Sequence, residues 1–122
     1  MSPLASHPIA SRERLIFALD VPDPRQARVL VERLGDAVQF YKLGLELFMA
    51  GGYFELVDWL AQRGKQIFVD LKFFDIPATV AAAVRQLNGR GVSFTTVHGN
   101  QAIMQAAAAA KGDVKVLAVT VL

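Results

Sequence analysis

No cysteine occurs among the 122 residues. Its absence excludes disulfides, a thiol nucleophile and a cysteine-rich metal site, and leaves the compartment open. The 2 histidines stand far apart in the chain and make no metal site by themselves. Charge of one sign is equally scarce. The net charge is +2, and Arg25, Arg28 and Arg33 are interrupted by acids or aliphatics, so no basic stripe argues for nucleic acid. Arg12, Glu13 and Arg14 form a short charged entry that reads as solvated surface. The first ten residues lack the basic start and apolar run of a secretory signal, so the expectation is a cytoplasmic protein without a membrane partner. Glycine is missing where a dinucleotide fold needs it: Asp20-Val21-Pro22-Asp23 follows the first apolar run, with no glycine-rich turn to receive a pyrophosphate.

What is present is apolar. Hydrophobic residues make up 53% and charged ones 20%, a balance that buries a real core in one modest domain. The apolar run at 15–19 reads as a strand, and Pro22-Asp23-Pro24 turns the chain into a helix over 25–34 closed by Gly35. A strand at 40–43 follows. Gly51-Gly52 separates the loop after it from a helix over 53–63, whose Phe54, Val57, Leu60 and Ala61 recur at helical spacing. Strand 66–71, helix 77–87 opened by Pro77, strand 94–97, helix 102–110 and strand 114–121 complete the order.

Near-continuous apolar strands alternating with helices specify an α/β fold with a parallel sheet covered by helices. Its two closures are an open doubly wound sheet and a TIM (β/α)8 barrel. The barrel has positive support, because polar residues sit at the carboxyl ends of successive strands: Asp20, Lys42, Asp70 with Lys72, and His98. In a barrel those ends converge on one mouth. A barrel needs about 250 residues, so the expectation is four βα units plus a fifth strand. Residues 1–13 read as an extension and 14–122 as the N-terminal half of a longer or split protein. Such a half leaves open sheet edges and an exposed apolar face.

The segment Asp70-Leu71-Lys72-Phe73-Phe74-Asp75-Ile76-Pro77 sets three ionised side chains at the end of an apolar strand. Charges there are costly unless paired. Lys42, Asp70, Lys72 and Asp75 offer two ammonium groups and two carboxylates able to satisfy one another in a pocket of low dielectric. Such an array keeps a lysine charged and in place, ready to donate a proton to carbon. Each member also has a structural reading. Asp70 and Lys72 read as a strand-end pair, Asp75 as the cap of the helix entered through Pro77, Asp20 as a turn residue and Lys42 as a snorkelling side chain. His98, before Gly99 and Asn100, reads as a pocket-wall or hydrogen-bonding residue. Phe68, Phe73 and Phe74 read as packing, with nucleobase stacking the weaker reading.

With its continuation Ala78-Thr79-Val80, that segment resembles the signature of the orotidine 5'-phosphate decarboxylase family. Leu19-Asp20-Val21, Tyr41-Lys42-Leu43-Gly44, Thr96-Val97-His98-Gly99 and Ala118-Val119-Thr120-Val121-Leu122 extend the resemblance over nearly the whole chain after residue 14. The resemblance implies a homodimeric (β/α)8 barrel that forms UMP and CO2 from orotidine 5'-phosphate, in de novo pyrimidine synthesis, without metal or organic cofactor. It implies that Asp20 binds a ribose hydroxyl, that Lys42 hydrogen-bonds ribose and anchors the array, and that Asp70 lies against the substrate carboxylate. Lys72 would protonate C6, and Asp75 and Thr79 would cross the dimer interface into the other subunit's site. His98 joins the expected substrate-binding residues. The family's phosphate-gripping groups and closing loop would belong to the remaining half of the barrel, so the segment alone is expected to be inactive. Two alternatives stay open: a magnesium-dependent sugar-phosphate decarboxylase of the same superfamily, which shares Asp-x-Lys-x-x-Asp, and a noncatalytic half-barrel that serves assembly.

Overall fold

A computed structural model of the protein describes residues 8–122. Five strands alternate with helices: β1 (Ile16–Ala18), α1 (Pro24–Leu34), β2 (Phe40–Leu43), α2 (Leu45–Ala50), α3 (Tyr53–Gln62), β3 (Gln66–Phe73), α4 (Pro77–Arg85), β4 (Phe94–His98), α5 (Gln101–Ala110) and β5 (Lys115–Val119). All neighbouring strands pair in parallel, in the order β1-β2-β3-β4-β5. A sheet wound in sequence order has no point at which strand order reverses, so the doubly wound alternative falls away and a partial (β/α)8 barrel remains. Residues 1–7 of the expected extension lie outside the described residues, and Ser11–Glu13 forms a single 3-10 turn.

Local chemistry sets the helix boundaries. The carboxylate of Asp23 accepts from the Gln26 N–H at 2.8 Å, Pro24 occupies the first turn, and Gly35 ends α1 with φ of 52°. Asn100 caps α5 in the same way, accepting from the Ile103 N–H at 3.2 Å. Asp75 does not cap α4 as one structural reading expected. Its Oδ1 accepts from the adjacent Ile76 N–H at 2.7 Å, and Ile76, the residue before the first turn, makes no side-chain cap. The stretch before Gly51-Gly52 is also more ordered than a loop, because Leu45–Ala50 coils into α2 and buries Leu47. Helix α4 stops at Arg85, short of the expected 87.

The two faces of the sheet differ in kind. Towards the helices, Tyr41, Leu43, Ile67, Val69 and Val97 are wholly buried. The first four pack with Ala27 and Val31 of α1 and with Leu56, Val57 and Leu60 of α3, whereas Val97 packs with Val80, Val84, Ile103 and Ala107 of α4 and α5. Each such aliphatic side chain contributes roughly 1.5–3 kcal/mol on burial. On the opposite face Phe94 stacks on Phe40 with ring centroids 5.6 Å apart and meets Phe68 at 5.8 Å. Towards the edges of that face Ile16 and Leu117 are 41% and 43% exposed. Strands β1 and β5 each pair along one side only. The expected open edges and uncovered apolar face are therefore present among the described residues.

Candidate active site

The site begins with an irregularity in β3. Val69 pairs with Thr95 and Phe73 with Val97, so Asp70, Leu71 and Lys72 lie opposite the single residue Thr96. This bulge is why β3 continues to Phe73, past the expected end at 71. Inside it Lys72 has φ of 49°, and among the described residues no other non-glycine residue has positive φ. A side chain bearing Cβ in that region costs about 1–2 kcal/mol, and such strain gathers at functional sites. Two threonine hydroxyls replace the interrupted ladder. Thr95 Oγ1 donates to the Val69 carbonyl at 2.8 Å on the helix side, and Thr96 Oγ1 accepts from the Lys72 N–H at 3.0 Å on the other.

Asp70 is the centre of the cluster. Its Oδ2 accepts from Lys72 Nζ at 3.1 Å and lies 3.6 Å from Lys42 Nζ, while Oδ1 accepts from Thr96 Oγ1 at 2.8 Å. Burial of Asp70 disfavours its charge. The Thr96 hydroxyl, the hydrogen bond from Lys72 and the charges of Lys72 and Lys42 outweigh that penalty and hold its carboxyl below the usual carboxylate range. The carboxylate is nearly covered, with 9% of its side chain exposed, whereas Lys42 and Lys72 keep 33% and 43%. A fixed anion thus presents two ammonium groups to the open side of the sheet. Tyr53 holds the neighbouring strand end: its hydroxyl donates to the Leu43 carbonyl at 2.7 Å in a buried setting. Burial first, and the charge of Asp70 second, push that phenol above its ordinary range.

The other expected site residues lie around this core. The Leu19 N–H donates to the Lys42 carbonyl at 2.9 Å, so Asp20 leaves β1 beside the end of β2, with its side chain exposed. His98 ends β4, and its ring stacks on Phe74 with centroids 4.1 Å apart and planes 9° from parallel. Those two rings, Lys72, Val119, Thr120 and Leu122 line a cleft of about 350 Å³. Asp75 and Thr79 are exposed in and after the following loop, and no ion pair joins Asp75 to either lysine within the described chain. The array within one chain is therefore Lys42, Asp70 and Lys72, without its expected fourth member. Thr96 was not among the expected site residues. The two-residue period of a strand places it on the same face as His98, a signal present in the sequence.

A parallel sheet wound in sequence order, with acids and lysines gathered at the carboxyl ends of its strands, defines part of a barrel of the catalytic type. Residues 13–122 match the model of the orotidine 5'-phosphate decarboxylase / HUMPS family. The orotidine 5'-phosphate decarboxylase of Methylococcus capsulatus is 63% identical over 119 residues, covering 98% of this chain and 49% of the relative. That of Xanthomonas axonopodis pv. citri is 60% identical over 117 residues, covering 94% and 48%. Among solved structures, orotidine 5'-phosphate decarboxylase from Lactobacillus acidophilus superimposes with a TM-score of 0.82 at 35% identity, over 92% of this chain and 54% of that one. The Thermotoga maritima enzyme gives 0.72 at 28% identity, over 88% and 53%. The chain belongs to the orotidine 5'-phosphate decarboxylase / HUMPS family, and it spans about half the length of the curated relatives it matches.

Proposed function

We propose that the protein, completed to the length of its relatives, is a cytoplasmic, cofactor-independent decarboxylase that converts orotidine 5'-phosphate to UMP and CO2. The observation that carries this reading is the Lys42–Asp70–Lys72 array, in which one buried carboxylate holds two ammonium groups within 3.6 Å at the mouth of the sheet. The bond from C6 to the carboxylate carbon breaks, its electron pair stays on C6, and CO2 departs. Lys72 Nζ then gives its proton to C6, and water restores the ammonium. The positive charge stabilises the carbanion as it develops, which is the main source of rate. Asp70, beside the substrate carboxylate, disfavours that bound ground state, a smaller and contested contribution.

The remaining roles are those the family resemblance implies, and the positions of the residues are compatible with them. Asp20 takes a ribose hydroxyl, Lys42 hydrogen-bonds ribose while anchoring Asp70, and His98 with Phe74 walls the cleft. Asp75 and Thr79 are exposed, and Asp75 makes no ion pair with its own chain's lysines, which suits contribution to the site of a second subunit in a homodimer. Phosphate contacts from the rest of the barrel supply binding energy that is used at C6, so residues 1–122 alone turn over no substrate.

The test is UMP formation from orotidine 5'-phosphate by the completed protein before and after exhaustive chelation. Product formation that survives chelation supports the reading. Turnover of 3-keto-gulonate 6-phosphate in its place, lost on chelation and regained with magnesium, establishes the sugar-phosphate alternative. Turnover of neither substrate supports the noncatalytic assembly reading.

A further inference from the structure

We propose that Thr96 is a positioning residue for the decarboxylation, a single hydroxyl that fixes both the backbone of Lys72 and the carboxylate of Asp70. The proposal rests on the decarboxylase reading above for its effect on rate, but its geometric basis stands independently. Thr96 Oγ1 accepts from the Lys72 N–H at 3.0 Å and donates its own proton to Asp70 Oδ1 at 2.8 Å. A hydroxyl has one proton and two lone pairs, so both bonds form together without conflict. Valine, of the same shape, makes neither.

The two bonds act on different coordinates of the array. The first secures the one backbone position in the bulge that sits in the left-handed region, where the lost ladder partner would leave Lys72 free to relax. The second fixes the rotation of the Asp70 carboxylate, so that Oδ2 faces Lys72 Nζ at 3.1 Å and Lys42 Nζ at 3.6 Å. Without it the carboxylate turns about its terminal torsion, which is broad and offers little resistance. Thr96 is 6% exposed, so water does not replace the hydroxyl without rearrangement. Its neighbour Thr95 also bonds to β3, but to the Val69 carbonyl on the helix side, and touches neither charged residue through its hydroxyl. The assignment therefore separates two adjacent threonines: one fastens the strands, the other aims the array.

The experiment compares Thr96→Val, Thr96→Ala and Thr96→Ser with wild type in the completed protein. Readouts are kcat, KM, the pH profile and the titration of the Asp70 carboxyl followed by carbon-detected NMR. Loss of a hydrogen bond to a charged group that matters for alignment lowers kcat by about tenfold to a hundredfold. The expected result is such a fall for Thr96→Val and Thr96→Ala, with KM changed by less than about threefold, since the hydroxyl is engaged by the Lys72 N–H and Asp70 Oδ1. The Asp70 titration moves to higher pH in both, and Thr96→Ser recovers most of the lost turnover. A kcat within twofold of wild type in folded Thr96→Val, or in Thr96→Ala where the valine variant does not fold, overturns the proposal. So does an unmoved Asp70 titration. If wild type fails to decarboxylate orotidine 5'-phosphate, the functional reading falls, and the Asp70 titration in the variants still decides whether Thr96 holds the carboxylate.

Discussion

Replacing Lys72 by glycine and by alanine separates what its side chain does from what its backbone costs. Both variants remove the ammonium group 3.1 Å from Asp70 Oδ2, so the electrostatic consequence for Asp70 is common to the pair and cancels in the comparison. What differs is the fit to φ of 49°. Alanine retains the Cβ that makes this region cost about 1–2 kcal/mol. Glycine is free of that strain, but its unfolded chain has more freedom to lose, worth about 0.4–1 kcal/mol. The balance leaves Lys72→Gly more stable than Lys72→Ala by about 0.5–1 kcal/mol. At about 2–4 °C per kcal/mol for a protein of 150–250 residues, the melting midpoints differ by about 1–4 °C. Both variants lose turnover by at least about 10⁴-fold, since proton donation and stabilisation of the carbanion disappear together. Paired thermal melts and single-turnover kinetics on the completed protein supply the numbers. An alanine variant as stable as the glycine one would refute the strained-bulge account, and near-normal turnover in either would refute the role given to the ammonium.

Three further expectations follow from the same geometry. Asp70 has its folded carboxyl held below the usual range. Its contribution to stability is therefore complete above the unfolded value of about 3.9 and is lost as pH falls through the lower folded value. Urea midpoints taken between about pH 6 and pH 3 should fall less steeply in Asp70→Asn than in wild type, and identical slopes would count against the pairing. A Cβ at Gly99 meets the Val119 carbonyl oxygen at 2.9 Å, the same oxygen that accepts from the Gly99 N–H. Gly99→Ala should cost about 1–3 kcal/mol in denaturant unfolding, because backbone and not a flexible side chain must move, and a change under about 0.5 kcal/mol would contradict the closeness of that approach. Asp20→Ala should weaken a ribose-bearing inhibitor by about 1.5–3 kcal/mol in calorimetry while the Asp70 titration stays in place. Unchanged inhibitor affinity would remove Asp20 from the ribose site.

The parts of this architecture that were legible in the sequence are those set by short-range chemistry. Alternation of apolar strands with helices follows from runs such as Ile67-Phe68-Val69 and from punctuation such as Asp23-Pro24 and Gly35. Lys42, Asp70 and Lys72 stood out because ionised groups at apolar strand ends require an explanation. Helix α2 was not legible, since six residues opened by Gly44 without a side-chain cap carry too little periodic signal. The bulge was hidden for a different reason. Whether Asp70, Leu71 and Lys72 share one opposite residue depends on β4, 24 to 26 positions further along, and no local propensity encodes it. Asp75 preceded Pro77 at a spacing suited to a cap, yet the extended backbone of Ile76 intervenes, and the carboxylate turns to its own neighbour's N–H instead.

The sequence-ordered winding of the sheet has a consequence for how the site comes into being. Each strand pairs with the next one in the chain, so the contact that joins Asp70 to Thr96 closes a span of only 26 residues. Closing loops of that length in succession costs less entropy at each step than bringing distant segments together. Every group of the array lies between β2 and β4, one uninterrupted stretch of chain. During synthesis on the ribosome this stretch emerges before any segment that follows β5, and β4 is the last strand it needs. The array is thus a contiguous cassette, carried whole by the stretch from Phe40 to His98.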